Sequence, residues 1–130
     1  MLRVLYIEDQ ADIQTVLRLS LAASKRFTVD VADTGREGID KALALKPDLI
    51  LLDYSLPDMD GPEILENLRA SEATATIPVI FITAMTQQVD MELCMSRGAL
   101  EVILKPFSPR EITRQILEIL ERHGIDTQGA

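Results

Sequence analysis

Cysteine, histidine and long apolar runs are what this chain has least of, and each shortage excludes something. A single cysteine, Cys94, rules out an intrachain disulfide and suits a reducing compartment. The one histidine, His123, lies far from Cys94 in sequence, so a soft-metal site is not expected. No apolar stretch approaches the roughly 18 residues of a membrane span. The opening Met1-Leu-Arg-Val-Leu-Tyr-Ile-Glu-Asp9 has too short an apolar run for a secretory signal and leads straight into acid. A cytoplasmic location without membrane contact is the expectation. Positive charge is also scarce. Against 21 acidic side chains stand 13 basic ones, a net charge of −8, which disfavours direct nucleic-acid binding by this domain. Internal repeats, low-complexity tracts and linkers are absent as well.

What is present is enough for one folded domain. The 130 residues are 47% hydrophobic and 26% charged, which argues against general disorder. Short β-rich runs alternate with longer helix-like runs. The expected strands are Leu2–Ile7, Phe27–Ala32, Asp48–Asp53, Val79–Thr83 and Glu101–Leu104. Leu49-Ile-Leu-Leu52 and Val79-Ile-Phe-Ile82 are apolar at every position. A strand apolar throughout is buried on both faces, as in a parallel sheet between helix layers. Thr34-Gly-Arg-Glu37 and Ser108-Pro-Arg-Glu111 fit the capping box, with Pro109 at the favoured first helical position, and Asp60-Gly-Pro-Glu63 offers a similar cap. Ile13, Leu17 and Leu21 form the stripe of the first helix; Ile112, Ile116, Ile119 and Leu120 line the last. Gly98 and Gly124 read as helix stops. Repeated βα units predict right-handed crossovers and an α/β fold with a five-stranded parallel sheet. Strand order is not fixed by the sequence; the flavodoxin-like order 2-1-3-4-5, with helices on both faces, is the common solution at this size. The expected domain is 1–124, followed by a frayed polar tail, 125–130.

The chemistry gathers at the strand ends. Glu8-Asp9 follow the first strand, Asp53 ends the third, Thr83 the fourth and Lys105 the fifth. In open α/β sheets ligands bind beyond those ends, at the switch point that this order puts between strands 1 and 3. Three crowded carboxylates need a cation or raised pKa values to coexist. Mg²⁺ suits them, as a hard ion that takes carboxylates, waters and a phosphate oxygen. Lys105 supplies a point charge for phosphate and Thr83 a hydroxyl. A carboxylate can also be a nucleophile and become an aspartyl-phosphate.

These residues carry a resemblance. Glu8-Asp9, Asp53-Tyr-Ser-Leu-Pro-Asp-Met-Asp-Gly61, Ile82-Thr-Ala84, Gly98-Ala99 and Lys105-Pro-Phe107 stand in order and in register. Over about residues 2–122 the chain resembles the receiver (CheY-like) domain of two-component response regulators. The resemblance implies that Asp53 is the phosphoacceptor and Asp9 a direct Mg²⁺ ligand, with Glu8 acting directly or through water. It implies that Ser55 offers the metal a backbone carbonyl, that Thr83 closes on the phosphoryl group, and that Lys105 bridges to a phosphate oxygen ahead of a cis bond to Pro106. It further implies a sensor histidine kinase or phosphotransfer protein as donor and a downstream protein or output domain, with a homodimer possible. The output face would be the fourth helix, fifth strand and fifth helix, including Arg97, Arg110 and Arg114. The kinase would meet the first helix at Ile13 and Leu17.

One position departs from the pattern. The family usually carries Tyr or Phe three residues before the lysine, where this chain has Val102. Valine cannot act as a rotating aromatic gate, so output is expected through backbone shifts near Thr83–Gln87, or phosphorylation mainly relays or stores phosphate. Asp58 and Asp60 read as turn and cap residues. Cys94 reads as a small buried or half-buried hydrophobe and His123 as a cation complementing a helix C-terminus. A haloacid-dehalogenase-type phosphatase needs a second acid where Ser55 stands. No Gly-x-x-x-x-Gly-Lys-Ser/Thr cradle occurs, and Glu8-Asp-Gln-Ala11 is the electrostatic opposite of a dinucleotide-binding turn. A pseudo-receiver that keeps the fold as an interaction module is the remaining alternative.

Overall fold

The computed structural model describes residues 1–84 and 88–127, the side chains of 88–90 excepted. Strands and helices alternate as β1 (Leu2–Ile7), α1 (Ala11–Ala23), β2 (Phe27–Ala32), α2 (Gly35–Leu45), β3 (Leu49–Leu52), α3 (Gly61–Ala70), β4 (Val79–Thr83), α4 (Gln88–Ser96), β5 (Glu101–Leu104) and α5 (Ile112–Arg122). The strands form one parallel sheet in the order β2-β1-β3-β4-β5. This is the flavodoxin-like arrangement expected from the sequence.

Strand alternation divides the core in two. On β1, Val4 and Tyr6 face a cluster with Leu17 and Leu21 of α1 and Ile112, Ile116 and Ile119 of α5. Leu5 and Ile7 face the other cluster, with Ile39 of α2, Ile64 and Leu68 of α3, and Cys94 of α4. Cys94 is fully buried, as read. Every residue of β3 and β4 is buried, which explains why neither strand alternates in polarity.

Local chemistry starts and stops the helices. Thr34 Oγ1 accepts from the Glu37 N–H at 3.1 Å, and Asp60 Oδ1 accepts from the Glu63 N–H at 2.9 Å. At the end of α4, Gly98 takes φ +104° and the Ala99 N–H reaches back to the Cys94 carbonyl at 3.2 Å. This closure favours glycine.

The structure corrects several expectations. β3 is shorter than 48–53 and spans Leu49–Leu52; the flanking acids still bond β1, the Asp48 N–H donating to the Arg3 carbonyl at 2.8 Å while Asp48 Oδ2 accepts from the Arg3 N–H at 2.8 Å. Ser108 does not cap α5. Residues 109–111 form a turn in which the Ser108 carbonyl accepts from the Glu111 and Ile112 N–H groups, at 3.0 and 2.9 Å, and Glu111 becomes the N-cap without a side-chain bond. The buried stripe of α1 is Gln14, Leu17 and Leu21, with Ile13 only half-buried. The tail does not fray at Ile125. Ile125 packs on the α5 side of the core, Thr127 is buried, and the Thr127 carbonyl accepts from Arg26 Nη2 at 3.2 Å.

Candidate functional site

The sheet order sets β1 between β2 and β3, with Ile7 paired to Leu52. One step beyond that pair the Asp53 N–H donates to the Ile7 carbonyl at 3.1 Å. The acids after β1 and the acid after β3 therefore emerge side by side. Carboxylate oxygens of Glu8, Asp9 and Asp53 lie within 4.8 Å of one another. Glu8 is completely buried, Asp53 is 8% exposed, and Asp9 faces solvent.

Lys105 reaches the same point from the end of β5. Thr83 pairs with Leu104, and the Lys105 N–H donates to the Thr83 carbonyl at 2.9 Å. The Lys105–Pro106 bond is cis. The Lys105 ammonium bonds Glu8 Oε1 and lies 3.3 Å from Asp53 Oδ2. Asp53 Oδ1 accepts from the Tyr54 N–H at 2.8 Å. Above these groups opens a cavity of about 510 Å³ lined by Asp9, Gln10, Asp53, Tyr54, Ser55, Thr83, Ala84 and Lys105. Of the six residues singled out in the sequence, five line it; the sixth, Glu8, is fully buried and bonds the Lys105 ammonium.

Burial pushes the Glu8 carboxyl above the usual carboxylate range, and the Asp53 charge adds to this, while Lys105 pulls the other way. For Lys105, burial acts to lower the pKa. The hydrogen bond it donates to Glu8 and the charges of Asp53 and Glu8 outweigh it, and the ammonium is held above its ordinary value. One ammonium cannot neutralise three carboxylates. The surplus is negative charge on hard oxygen donors, some of it buried, and a divalent hard cation fits that donor set.

Three supporting residues were not singled out in the sequence. Tyr6 is fully buried and its hydroxyl donates to Glu8 Oε1 at 3.2 Å. Burial, then the neighbouring Glu8 and Asp53, raises its pKa well above the ordinary phenol value, so it stays a neutral donor. Gln14 Nε2 donates to the Glu8 carbonyl and to Asp33 Oδ1, the latter at 2.7 Å, which ties the acidic turn to the end of β2. Gly61 admits the start of α3 behind the acceptor strand. A Cβ there would meet Phe81 Cε1 at 2.4 Å and the Asp53 carbonyl oxygen at 2.9 Å. Tyr6 had a signal, since residues two apart on a strand share a face. Gln14 was legible only as a polar residue beside an apolar stripe.

The chain matches the response regulator receiver domain over residues 4–117. It belongs to that family. It is 37% identical over 123 residues to the alkaline phosphatase synthesis transcriptional regulatory protein PhoP of Bacillus subtilis, covering 95% of this chain and 50% of that protein. It is 36% identical over 133 residues to the response regulator ArlR of Staphylococcus aureus, covering 99% of this chain and 59% of that one. The chain thus spans about half the length of the curated relatives it matches. Its fold superposes on the chemotaxis response regulator CheY4 of Vibrio cholerae with a TM-score of 0.86 at 26% identity, over 92% of this chain and 99% of that one. A CheY-like receiver domain protein of Methanospirillum hungatei gives 0.85 at 27% identity, over 95% and 97%.

Around the receiver site the structure revises one surface assignment and leaves one route undescribed. Leu17 cannot meet a partner, because it is fully buried; the large exposed hydrophobic residues of α1 are Val16 and Leu19. The output arginines Arg97, Arg110 and Arg114 are all exposed; Arg97 pairs with Glu66 at 2.8 Å and Arg114 with Glu111 and Glu118 at 3.3 and 2.7 Å. Val102 is half-buried and lines a cavity of about 410 Å³ between α4 and β5 with Met91, Glu92, Met95 and Glu101. Met85–Gln87, on the expected backbone route, lie outside the described residues. Asp58 and Asp60 are cap residues, as read. Asp58 caps across the loop, its carboxylate accepting from the Gly35 and Arg36 N–H groups at 2.8 and 2.9 Å. Chiefly the Arg36 N–H holds the Asp58 carboxyl below its ordinary value. His123 sits just past α5 and bonds Glu101 at 3.1 Å. No helix among the described residues is long and apolar enough to cross a membrane.

Proposed function

We propose that this receiver domain takes a phosphoryl group from a phosphohistidine onto Asp53. An Asp53 carboxylate oxygen forms the new O–P bond as the N–P bond breaks, and the departing electron pair stays on the imidazole nitrogen. The reading rests on Asp53 belonging to the acid cluster, 3.3 Å from the Lys105 ammonium, and lining an open cavity. Mg²⁺ held by Asp9 and Asp53, by Glu8 directly or through water, and by the Ser55 carbonyl would neutralise charge on the transferring group. Lys105 does the same from the β5 side, and the Thr83 hydroxyl donates to a phosphoryl oxygen. Catalysis is positioning and charge neutralisation, and the domain acts only on its own carboxylate.

The donor is a sensor histidine kinase or phosphotransfer protein. An apolar cavity of about 440 Å³ beside the site, lined by Ile13, Val16, Ala84, Pro106 and Phe107 with Asp12 and Lys105, suits its approach. Phosphorylation adds about −1.5 to −2 charge and biases a surface toward a downstream protein, an output domain or a second copy. The assembled acid set and Lys105 argue against the pseudo-receiver alternative. The test is a beryllofluoride titration, a mimic of an acyl phosphate, followed by NMR. Saturable binding that needs both Mg²⁺ and Asp53 supports the proposal; no binding in the wild type refutes it.

A further inference from the structure

Glu8 carries more hydrogen-bond donors than an isolated metal ligand needs. Its Oε1 accepts from both the Tyr6 hydroxyl, at 3.2 Å, and the Lys105 ammonium, and its Oε2 accepts from the Gln10 N–H at 3.2 Å. The lysine is shared with Asp53 at 3.3 Å, whereas the phenol is locked in the core by a fully buried ring. Packing against Leu17, Leu21 and Ile112 asks only for an apolar residue on β1; the hydroxyl oxygen is surplus to that task, and its acceptor is Glu8.

The two donors answer differently to an anion on Asp53. The Lys105 ammonium cannot turn fully to a phosphoryl group there without loosening from Glu8. A fully buried carboxylate stripped of its partner is costly. The phenol cannot follow the lysine, because its position is set by β1 and the core.

We propose that Tyr6 is a positioning residue that holds Glu8 in place when Lys105 is drawn to the phosphoryl group on Asp53. The inference rests on the phosphoacceptor reading of the site. A hydroxyl that served only the fold would stabilise the free and the loaded domain equally. A hydroxyl with this role contributes more to the loaded one.

Tyr6→Phe removes the oxygen and keeps the ring. Wild type and variant are compared by beryllofluoride titration with Mg²⁺, and by thermal unfolding with and without that pair of ligands. The expected result is beryllofluoride binding weakened about ten-fold, equal to about 1.4 kcal/mol, with a larger fall in melting temperature for the loaded chain than for the free one. Ten-fold is the low end for an outer partner of a ligating group, because the Gln10 N–H remains. Unchanged affinity, or equal falls in both melting temperatures, overturns the inference while leaving the phosphoacceptor reading intact. A wild type that does not bind overturns both.

Discussion

Asp9→Asn is expected to make the metal-free domain more stable and the Mg²⁺-loaded domain less stable than wild type. The carboxylate oxygens of Glu8, Asp9 and Asp53 lie within 4.8 Å of one another. At that separation two unit charges repel by about 0.9 kcal/mol in bulk water and about 3.5 kcal/mol at an effective dielectric of 20. Asp9 is exposed, so the lower figure is the better guide. Two such repulsions, partly offset by attraction to Lys105, leave a net of about 1 kcal/mol released by the neutral amide. In a domain of this size that raises the melting temperature by about 3–6 °C. With Mg²⁺ the order reverses. The wild type gains about 2.7 kcal/mol at one hundred times its dissociation constant, and the amide, lacking the charged ligand, gains little. Urea unfolding with EDTA and with Mg²⁺ reads both arms. A variant less stable than wild type in EDTA, or equally stabilised by Mg²⁺, refutes the reasoning.

Two further predictions concern the scaffold. Gly61→Ala forces a methyl against Phe81 and the Asp53 carbonyl, and should cost about 1–3 kcal/mol, read by urea unfolding, together with weaker beryllofluoride binding. Asp58→Ala removes the cross-loop cap on Gly35 and Arg36 and should cost about 1 kcal/mol at neutral pH. Because the Asp58 carboxyl is held below its ordinary value, the folded state favours its charged form. That stabilisation is complete above the ordinary value of about 3.9 and is lost as pH falls through the lower folded value. The difference between wild type and Asp58→Ala should therefore shrink in acid denaturation below about pH 4; a constant difference down to pH 2 would contradict this.

The sequence was most legible where one physical rule acts alone. Leu49–Leu52 and Val79–Thr83 are apolar at every position but the closing threonine, and burial on both faces leaves little else for them to be than central parallel strands. Thr34 and Asp60 cap the helices that follow them because a short polar side chain has few better acceptor roles there. The site residues were legible because the sheet order brings strand ends together, and four widely separated segments meet at one cavity.

Legibility failed where tertiary contacts compete with local pattern. Ser108 has the signature of a cap, yet its carbonyl, not its hydroxyl, takes the free N–H groups of the turn before α5. Leu17 and Ile13 have the same apolar character in the sequence, but packing against α5 buries Leu17 completely and leaves Ile13 half-open. Gln14 enters the buried face of α1 because the Glu8 carbonyl and Asp33 need a donor, a demand created only once β1 and β2 are adjacent. Ile125–Thr127 read as polar tail, yet Arg26 and the core hold them.

The central claim is that Asp53 is a phosphoacceptor whose chemistry depends on the acid cluster. Phosphoramidate, whose N–P bond resembles that of a phosphohistidine, tests it most directly when intact mass is read after incubation with Mg²⁺ or EDTA. The account predicts the gain of one phosphoryl group in the wild type with Mg²⁺, none after EDTA, and none in Asp53→Asn under either condition. A wild type that gains nothing, or an Asp53→Asn variant that gains as much as the wild type, would contradict it.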